Sequence, residues 1–433
     1  MWEKIKSYYN KDNCDLLNGE IDPFEFHDTF YRMLVAFKVG RWTVCQQYKK
    51  KHYSVTVMIQ YFNQNAVLFF IGLLATLLLF ISFSHGVETR DLPLSTEAGT
   101  YSIVLGYELL ILYGTRRNLM EYHNFLRGLK QDFHYICTTG ERYRVPFFEN
   151  QLKTRKICIV ACIFTYSTPV GMVIFAFLSL FYFLATHKPE DEGSRPLLFP
   201  YWMPDVDFGK SPVYEMAFMY ANVCVLQYAH NYAFMLLTQI VWIRQITTKV
   251  DIVTWSLQDL LVDIYPAKTK AEDAYFSHLI ETRMREIVAH HQSMYSMLHD
   301  YVTVHKKFLL YEQKLCGPVV CLSAYCLAEK LDEGEFQAIL LLLCIATTIL
   351  CFIPSYMCTY LSFKVSSICD ACWNIPFWNA GPVIRPYLVL IMQRSLRPLP
   401  LRAPGFEDVS IETFSTKMTS AYSYFNMLRQ TNL

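Results

Sequence analysis

The sequence predicts an all-α integral membrane protein of seven transmembrane helices, with its N-terminus in the cytosol and its C-terminus outside. Three observations predict it. Apolar residues make up 53% of the 433, and they gather into blocks long enough to cross a bilayer, which takes about 20 helical residues. The first 30 residues are charged and hold no apolar signal core. Finally, with successive spans alternating in direction, the loops on the N-terminal side hold 31 Lys and Arg and the opposite loops five. Basic residues concentrate on the cytosolic side, so the N-terminus is expected inside. A G-protein-coupled receptor also has seven spans but faces its N-terminus outward. No Asp-Arg-Tyr or Asn-Pro-x-x-Tyr motif stands at a helix end here.

The elements follow in order. Residues 1–53 form a cytosolic arm with nine Lys and Arg, ending in Lys49-Lys50-Lys51. Residues 54–363 hold spans one to six, at 55–84, 98–113, 157–185, 214–242, 315–328 and 336–363. The external loop 186–211 is acidic and Pro-rich and carries Leu197, Leu198, Phe199, Tyr201, Trp202 and Met203 between prolines. A flexible linker would not spend apolar residues this way, so the loop reads as an ordered lid over the bundle. From Ala267 to Cys316 there is neither Pro nor Gly. Here Ile287, His291, Met294, Leu298, Tyr301, His305 and Phe308 recur at spacings of four and three, one face of a helix. A cytosolic helix over 267–313 follows, extending roughly 40 Å from the bilayer at about 1.5 Å per residue. Its apolar stripe needs partners, which implies a cytosolic bundle that serves as an oligomerisation base.

The last segment, 407–433, is too polar to register as a span by hydropathy, although its length is sufficient. Phe414, Met418, Ala421, Phe425 and Leu428 mark one face; Thr413, Thr416, Ser420, Ser423, Met427 and Gln430 mark the other. Hydroxyl and amide groups at membrane depth are tolerated where they line water. Met427 is the apolar residue of that stripe, and a ring of such residues gates by dewetting. The alternative is a helix that buries its hydroxyls against other helices.

Little else in the chain suggests chemistry. Neither of the first two external loops holds any of the 14 cysteines, so no loop disulfide is expected there. Cys369-Asp-Ala-Cys372 is a lone pair without a second ligand pair. His290, His291, His299 and His305 cluster on the cytosolic helix, but membrane di-iron enzymes need about eight converging imidazoles. The remaining histidines are scattered and no His-x-x-His-His box exists. No catalytic residue, metal, cofactor or nucleic-acid partner is expected.

The C-terminal third carries a succession of short motifs. Met392-Gln393-Arg394-Ser395 is followed by Arg397-Pro398-Leu399, Ala403-Pro404-Gly405-Phe406 and Val409-Ser410-Ile411-Glu412-Thr413-Phe414, then Ser420-Ala421-Tyr422-Ser423-Tyr424-Phe425. Trp202-Met203-Pro204 and the stretch from His291 to Leu315-Cys316 join them. Together these resemble the insect odorant receptor family. The cytosolic loop after span four lacks the large insertion of that family's shared co-receptor, so the chain resembles a ligand-tuning subunit. A gustatory-receptor-like homomeric channel is the nearest alternative, but its terminal Thr-Tyr plus Gln-Phe signature is replaced here by Ser423-Tyr424-Phe425.

The resemblance implies a ligand-gated, non-selective cation channel of four subunits in the plasma membrane of a sensory dendrite, assembled with co-receptor subunits and opened by a small volatile ligand. It implies that 364–406 belongs to a cytosolic anchor between subunits. It also implies that the last helix lines the pore, with a gate at Met427, Gln430 and Thr431 and with Ser423 on the same stripe. Finally, it implies an odorant pocket in the outer half, between spans two, three, four and six. By depth and helix face the candidates are Tyr101 and Leu105, then Thr168, Gly171 and Phe175, then Met216 and Tyr220, and Leu340 and Leu343. None is charged, which suits a small neutral hydrophobic ligand held by shape and dispersion.

Overall fold

The computed structural model describes residues 55–138, 141–186, 195–262, 270–334 and 337–431, except 377, 379–382, 398, 400 and 402–407. His27, Thr29, Phe30 and Met33 are described as well. The rest of the arm 1–53, part of the loop 186–211 (187–194), residues 402–407 of the anchor segment and the side chain of Thr431 lie outside the described residues.

The described chain is helical, in the order α1 Val55–Thr89, α2 Leu92–Arg117, α3 Leu119–Thr138, α4 Glu141–Thr186, α5 Val213–Gln258, α6 Lys270–Asp332, α7 Ala338–Trp373, α8 Arg385–Ser395 and α9 Ile411–Thr431. It is an all-α membrane-protein fold. Helices α1 and α2 form a tight hairpin. Asp91 caps α2 by accepting from the Leu94 amide at 3.1 Å, and Pro93 occupies the first turn, where a missing N–H costs nothing. Gly86 allows the close approach, since a Cβ there would lie 2.8 Å from the Ser95 backbone nitrogen. On their own sequence, Val67–Thr89, Arg142–Thr186 and Ala338–Trp373 are long and apolar enough to cross a bilayer. Helices α2, α5, α6 and α9 fall below that mark because they carry ionisable or hydroxyl side chains. Several of those are buried, as are Glu108 in α2 and Lys249 in α5.

Helix α5 is the axis of the molecule. From Ala229 to Val253 it is buried almost all round, as a helix is when neighbours cover every face. Helix α6 is continuous for 63 residues, roughly 95 Å at about 1.5 Å per residue. Its stripe from Ile287 to Phe308 is buried within this one chain, each of the seven residues no more than 6% exposed. The stripe does find a bundle to pack in, but its partners are the chain's own helices α3, α5, α7 and α8. Trp242 of α5 sits at the centre, stacked on Phe125 of α3 with ring centroids 4.5 Å apart, and its Nε1 donates to the Met297 carbonyl at 3.2 Å. Tyr295 reaches the Arg394 carbonyl at the end of α8.

A buried polar network sits beside this core. Lys249 of α5 meets Asp132 of α3 at 2.6 Å, with both side chains under 5% exposed. Gln245 donates to the other Asp132 oxygen, Ser293 of α6 receives the Lys249 ammonium, and Gln151 of α4 links Gln245 to His27 of the arm. Each charge thus has its partner, without which its burial would be costly.

Candidate functional site: an apolar chamber and a polar helix

A chamber opens between α2, α4, α5 and α7, enclosing about 60 Å³. Helical spacing builds each wall. Tyr101, Val104 and Leu105 come from successive turns of α2; Thr165, Thr168, Pro169 and Met172 from α4. Helix α5 presents Val225, Tyr228, Ala229 and Tyr232, and α7 presents Leu343, Ala346, Thr347 and Leu350. The remaining wall is Phe199, which descends from the segment between α4 and α5 and packs against Tyr101 with centroids 4.9 Å apart. Phe199 is 1% exposed and Leu198 2%.

That segment is pinned from both sides. Tyr214 donates to the Pro196 carbonyl at 2.9 Å, the Trp202 amide donates to Ser82 Oγ at 2.8 Å, and the Trp202 ring stacks on His85 at 3.5 Å. Among the described residues, no ionisable side chain other than tyrosine lines the chamber. An occupant there would meet apolar surface and a few hydroxyls, so shape and dispersion dominate.

Of the nine residues expected at a pocket, Tyr101, Leu105, Thr168 and Leu343 line this chamber. Leu340 is fully buried one turn away without lining it. Gly171 faces α7, where a Cβ would lie 3.4 Å from Leu342 Cδ1. The Tyr220 hydroxyl donates to the Ile71 carbonyl and joins α5 to α1. Phe175 and Met216 are 39% and 65% exposed on the outer surface, away from the chamber. The inward face of α4 follows Thr165, Pro169, Met172 and Ala176 rather than Gly171 and Phe175. On α5 the inward face begins three turns in, because loop residues cover the first turns. Spacing could have shown Thr165–Met172 and Val225–Tyr232, since both repeat every three or four residues. No local signal marks Phe199 among the other apolar residues of its loop.

Helix α9 packs along α6 and α7 with its apolar face inward. Ser410 caps it, accepting from the Thr413 amide at 3.1 Å. Ala421 is buried; Phe414, Met418, Phe425 and Leu428 are half-buried, with Phe414 edge-on to Phe352 of α7 at 5.5 Å. On the other side Thr416, Ser420, Ser423, Met427 and Gln430 are exposed, and Thr413 is half-buried. Thr416, Ser420 and Ser423 return their hydroxyls to carbonyls four residues back, so the polar stripe costs the helix no unpaired donor. Two charged contacts hold α9 to α6: Lys417 donates to Gln313, and Arg429 meets Asp332 at 2.5 Å.

Three of the four clustered histidines of α6 make contacts within the bundle. His305 bonds the Tyr301 carbonyl at 3.0 Å, His291 lies 3.4 Å from Ser395 Oγ, and the His290 ring packs on Tyr135. Burial lowers His305 to about 3, and burial with the nearby Arg394 lowers His291 to about 4. Among the described residues no group of three His, Cys, Asp or Glu could hold a metal. Cys369 and Cys372 are free thiols.

With this geometry in place, comparison with known proteins is decisive. The family described as 7tm Odorant receptor matches residues 109–422. The chain belongs to the odorant receptor family. Membership sets it among receptors rather than enzymes. Odorant receptor 85f of Drosophila melanogaster is 23% identical over 241 residues, which cover 54% of this odorant receptor and 56% of that one. The chain thus aligns with little more than half the length of that curated relative. The fold of this odorant receptor resembles the insect olfactory receptor OR5 from Machilis hrabei in complex with eugenol. The TM-score is 0.68 at 13% identity, covering 84% of this chain and 88% of the other. A second structure of the same OR5 gives a TM-score of 0.59 at 16% identity over the same shares.

Proposed function

We propose that this odorant receptor is the odorant-binding subunit of a heteromeric, ligand-gated, non-selective cation channel in the plasma membrane. Seven spans cross the bilayer: α1, α2, α4, α5, the C-terminal part of α6, α7 and α9. The N-terminus and the α3–α6–α8 bundle lie in the cytosol, in keeping with the 31-to-five division of basic residues. A small, largely apolar ligand enters the chamber beneath Phe199, and α9 lines the path for cations. The observation that carries this reading is that α7, one wall of the chamber, also packs against α9, a helix that turns an exposed hydroxyl stripe away from its own subunit. The complex of Machilis hrabei OR5 with eugenol supports a small organic ligand for this fold. Recording odorant-evoked currents from cells that express the chain with and without a co-receptor subunit tests it. Currents are expected only from the pair. Currents from the chain alone would favour the gustatory-receptor-like, homomeric arrangement, and none in either case would overturn the reading.

A further inference from the structure

A second chamber of about 60 Å³ continues the first toward α6 and shares Val104, Tyr228, Tyr232, Thr347 and Leu350 with it. Its chemistry differs. Where the first chamber ends in Phe199, Pro169 and Met172, the second brings in Tyr107, Tyr311 and the carboxyl of Glu312. Glu312 is 6% exposed, and among the described residues no Lys, Arg or His lines either chamber. Tyr107 donates to Glu312 Oε1 at 2.7 Å. The second oxygen, Oε2, is buried beside the Gln239 side chain without a well-formed hydrogen bond to it. A buried carboxyl oxygen without a donor is costly, and a bound molecule that supplies one recovers that cost.

We infer that the second chamber is a subsite for the polar end of the ligand, where Glu312, held by Tyr107, selects molecules that carry a hydroxyl or amino group. The apolar body then occupies the chamber under Phe199, so the ligand class is a small amphipathic alcohol, phenol or primary amine. This deepens the proposed function and rests on it. The subsite also lies next to the contact with the polar helix, because Gln313, one residue on, accepts from Lys417 of α9 and donates to Ser355 of α7 at 3.3 Å.

The test measures currents from the chain paired with a co-receptor subunit. The probes are small alcohols, phenols and primary amines, each with its methyl ether and parent hydrocarbon. In the wild type, donor-bearing members should be more potent than their ethers by roughly tenfold to a hundredfold, the cost of leaving a buried polar group unpaired. The paired change Tyr107→Phe with Glu312→Leu leaves neither group orphaned and should erase that preference, so that potency follows shape alone. Glu312→Gln should keep alcohols and lose amines, and it decides the matter where the paired variant does not reach the surface. Three results would overturn the inference: no response to any donor-bearing probe, no preference over ethers, or an unchanged alcohol-to-amine ranking in Glu312→Gln. Leu343→Phe, in the first chamber, separates the two levels. If it shifts potencies while the Glu312 variants do not, only the subsite falls; if neither shifts any, the chamber itself is misassigned.

Discussion

Two kinds of single residue stand out, one set for stability and one for permeation. His291 and His305 are neutral in the folded chain, held at about 4 and about 3 against the ordinary 6.5. A histidine with a lowered folded value favours folding above the unfolded value, and that contribution fades as pH falls from about 6.5 toward the folded value. At about pH 5.5 each costs on the order of 1.4 kcal/mol relative to neutral pH. Melting of the purified protein should therefore fall between about pH 7.5 and about pH 5.5, and less steeply in His291→Gln. An identical pH slope for that variant would exclude His291 as a contributor. Met427, 53% exposed among hydroxyls and amides, invites a different measurement. A polar side chain there should wet a closed constriction and give leak current without odorant. Met427→Ser is expected to leak, whereas Leu428→Ser, on the half-buried face, should lower surface expression before it changes permeation. The reverse pattern would mean that the pore face of α9 is rotated.

At the scale of elements, the segment between α4 and α5 is anchored by buried Leu198, Phe199 and Tyr201. Phe199 closes the chamber, while Tyr214, Ser82 and His85 hold its neighbours in place. Because those contacts do not involve the Phe199 ring, Phe199→Ala should enlarge the chamber without releasing the loop. A methylene gained or lost in an apolar pocket is worth about 1–3 kcal/mol. Potency for larger odorants should therefore rise, and for small ones fall, in a graded way, with ion selectivity unmoved. Dose–response curves for an odorant series check this, and superimposable curves would remove Phe199 from the site. Helix α6 carries a contrasting lesson. Its heptad-like stripe was legible in the sequence as apolar, but spacing does not say whose side chains cover it. The covering side chains, on α3, α5, α7 and α8, lie tens of residues away from the stripe, so the answer appears only when the chain is folded.

For the whole molecule, the surface available to other subunits is what the internal bundle leaves over. On and beside α8, Leu390 and Leu396 are 65% and 63% exposed, and Trp373 at the end of α7 is 69% exposed. Exposed apolar residues grouped in this way mark association sites. Leu390→Asp with Leu396→Asp should abolish co-assembly while monomer insertion persists, read by co-purification with a co-receptor subunit. Undiminished co-purification would place the anchor elsewhere. The proposed orientation has its own check. An epitope at the C-terminus should be reached by antibody on intact cells, and labelling only after permeabilisation would invert the topology.

Hydrophobic blocks, helix periodicity and the division of basic charge are local or additive properties. They were enough to establish an all-α membrane protein and to give the two faces of α9, whereas the resemblance to the family rested on the short motifs between Met392 and Phe425. The rotation of α4 about its axis, the depth at which α5 turns inward and the descent of Phe199 depend on contacts between residues far apart in the chain. Tyr101, Leu105, Thr168 and Leu343 were legible because depth and helix face sufficed for them. Phe175 and Met216 were not, since an apolar side chain near a helix end reads alike whether it faces lipid or a cavity. Glu312 was hidden for the opposite reason. A carboxylate on a long charged helix looks solvated, and only the packing of α2, α5 and α7 around it turns it into a buried group at a chamber wall.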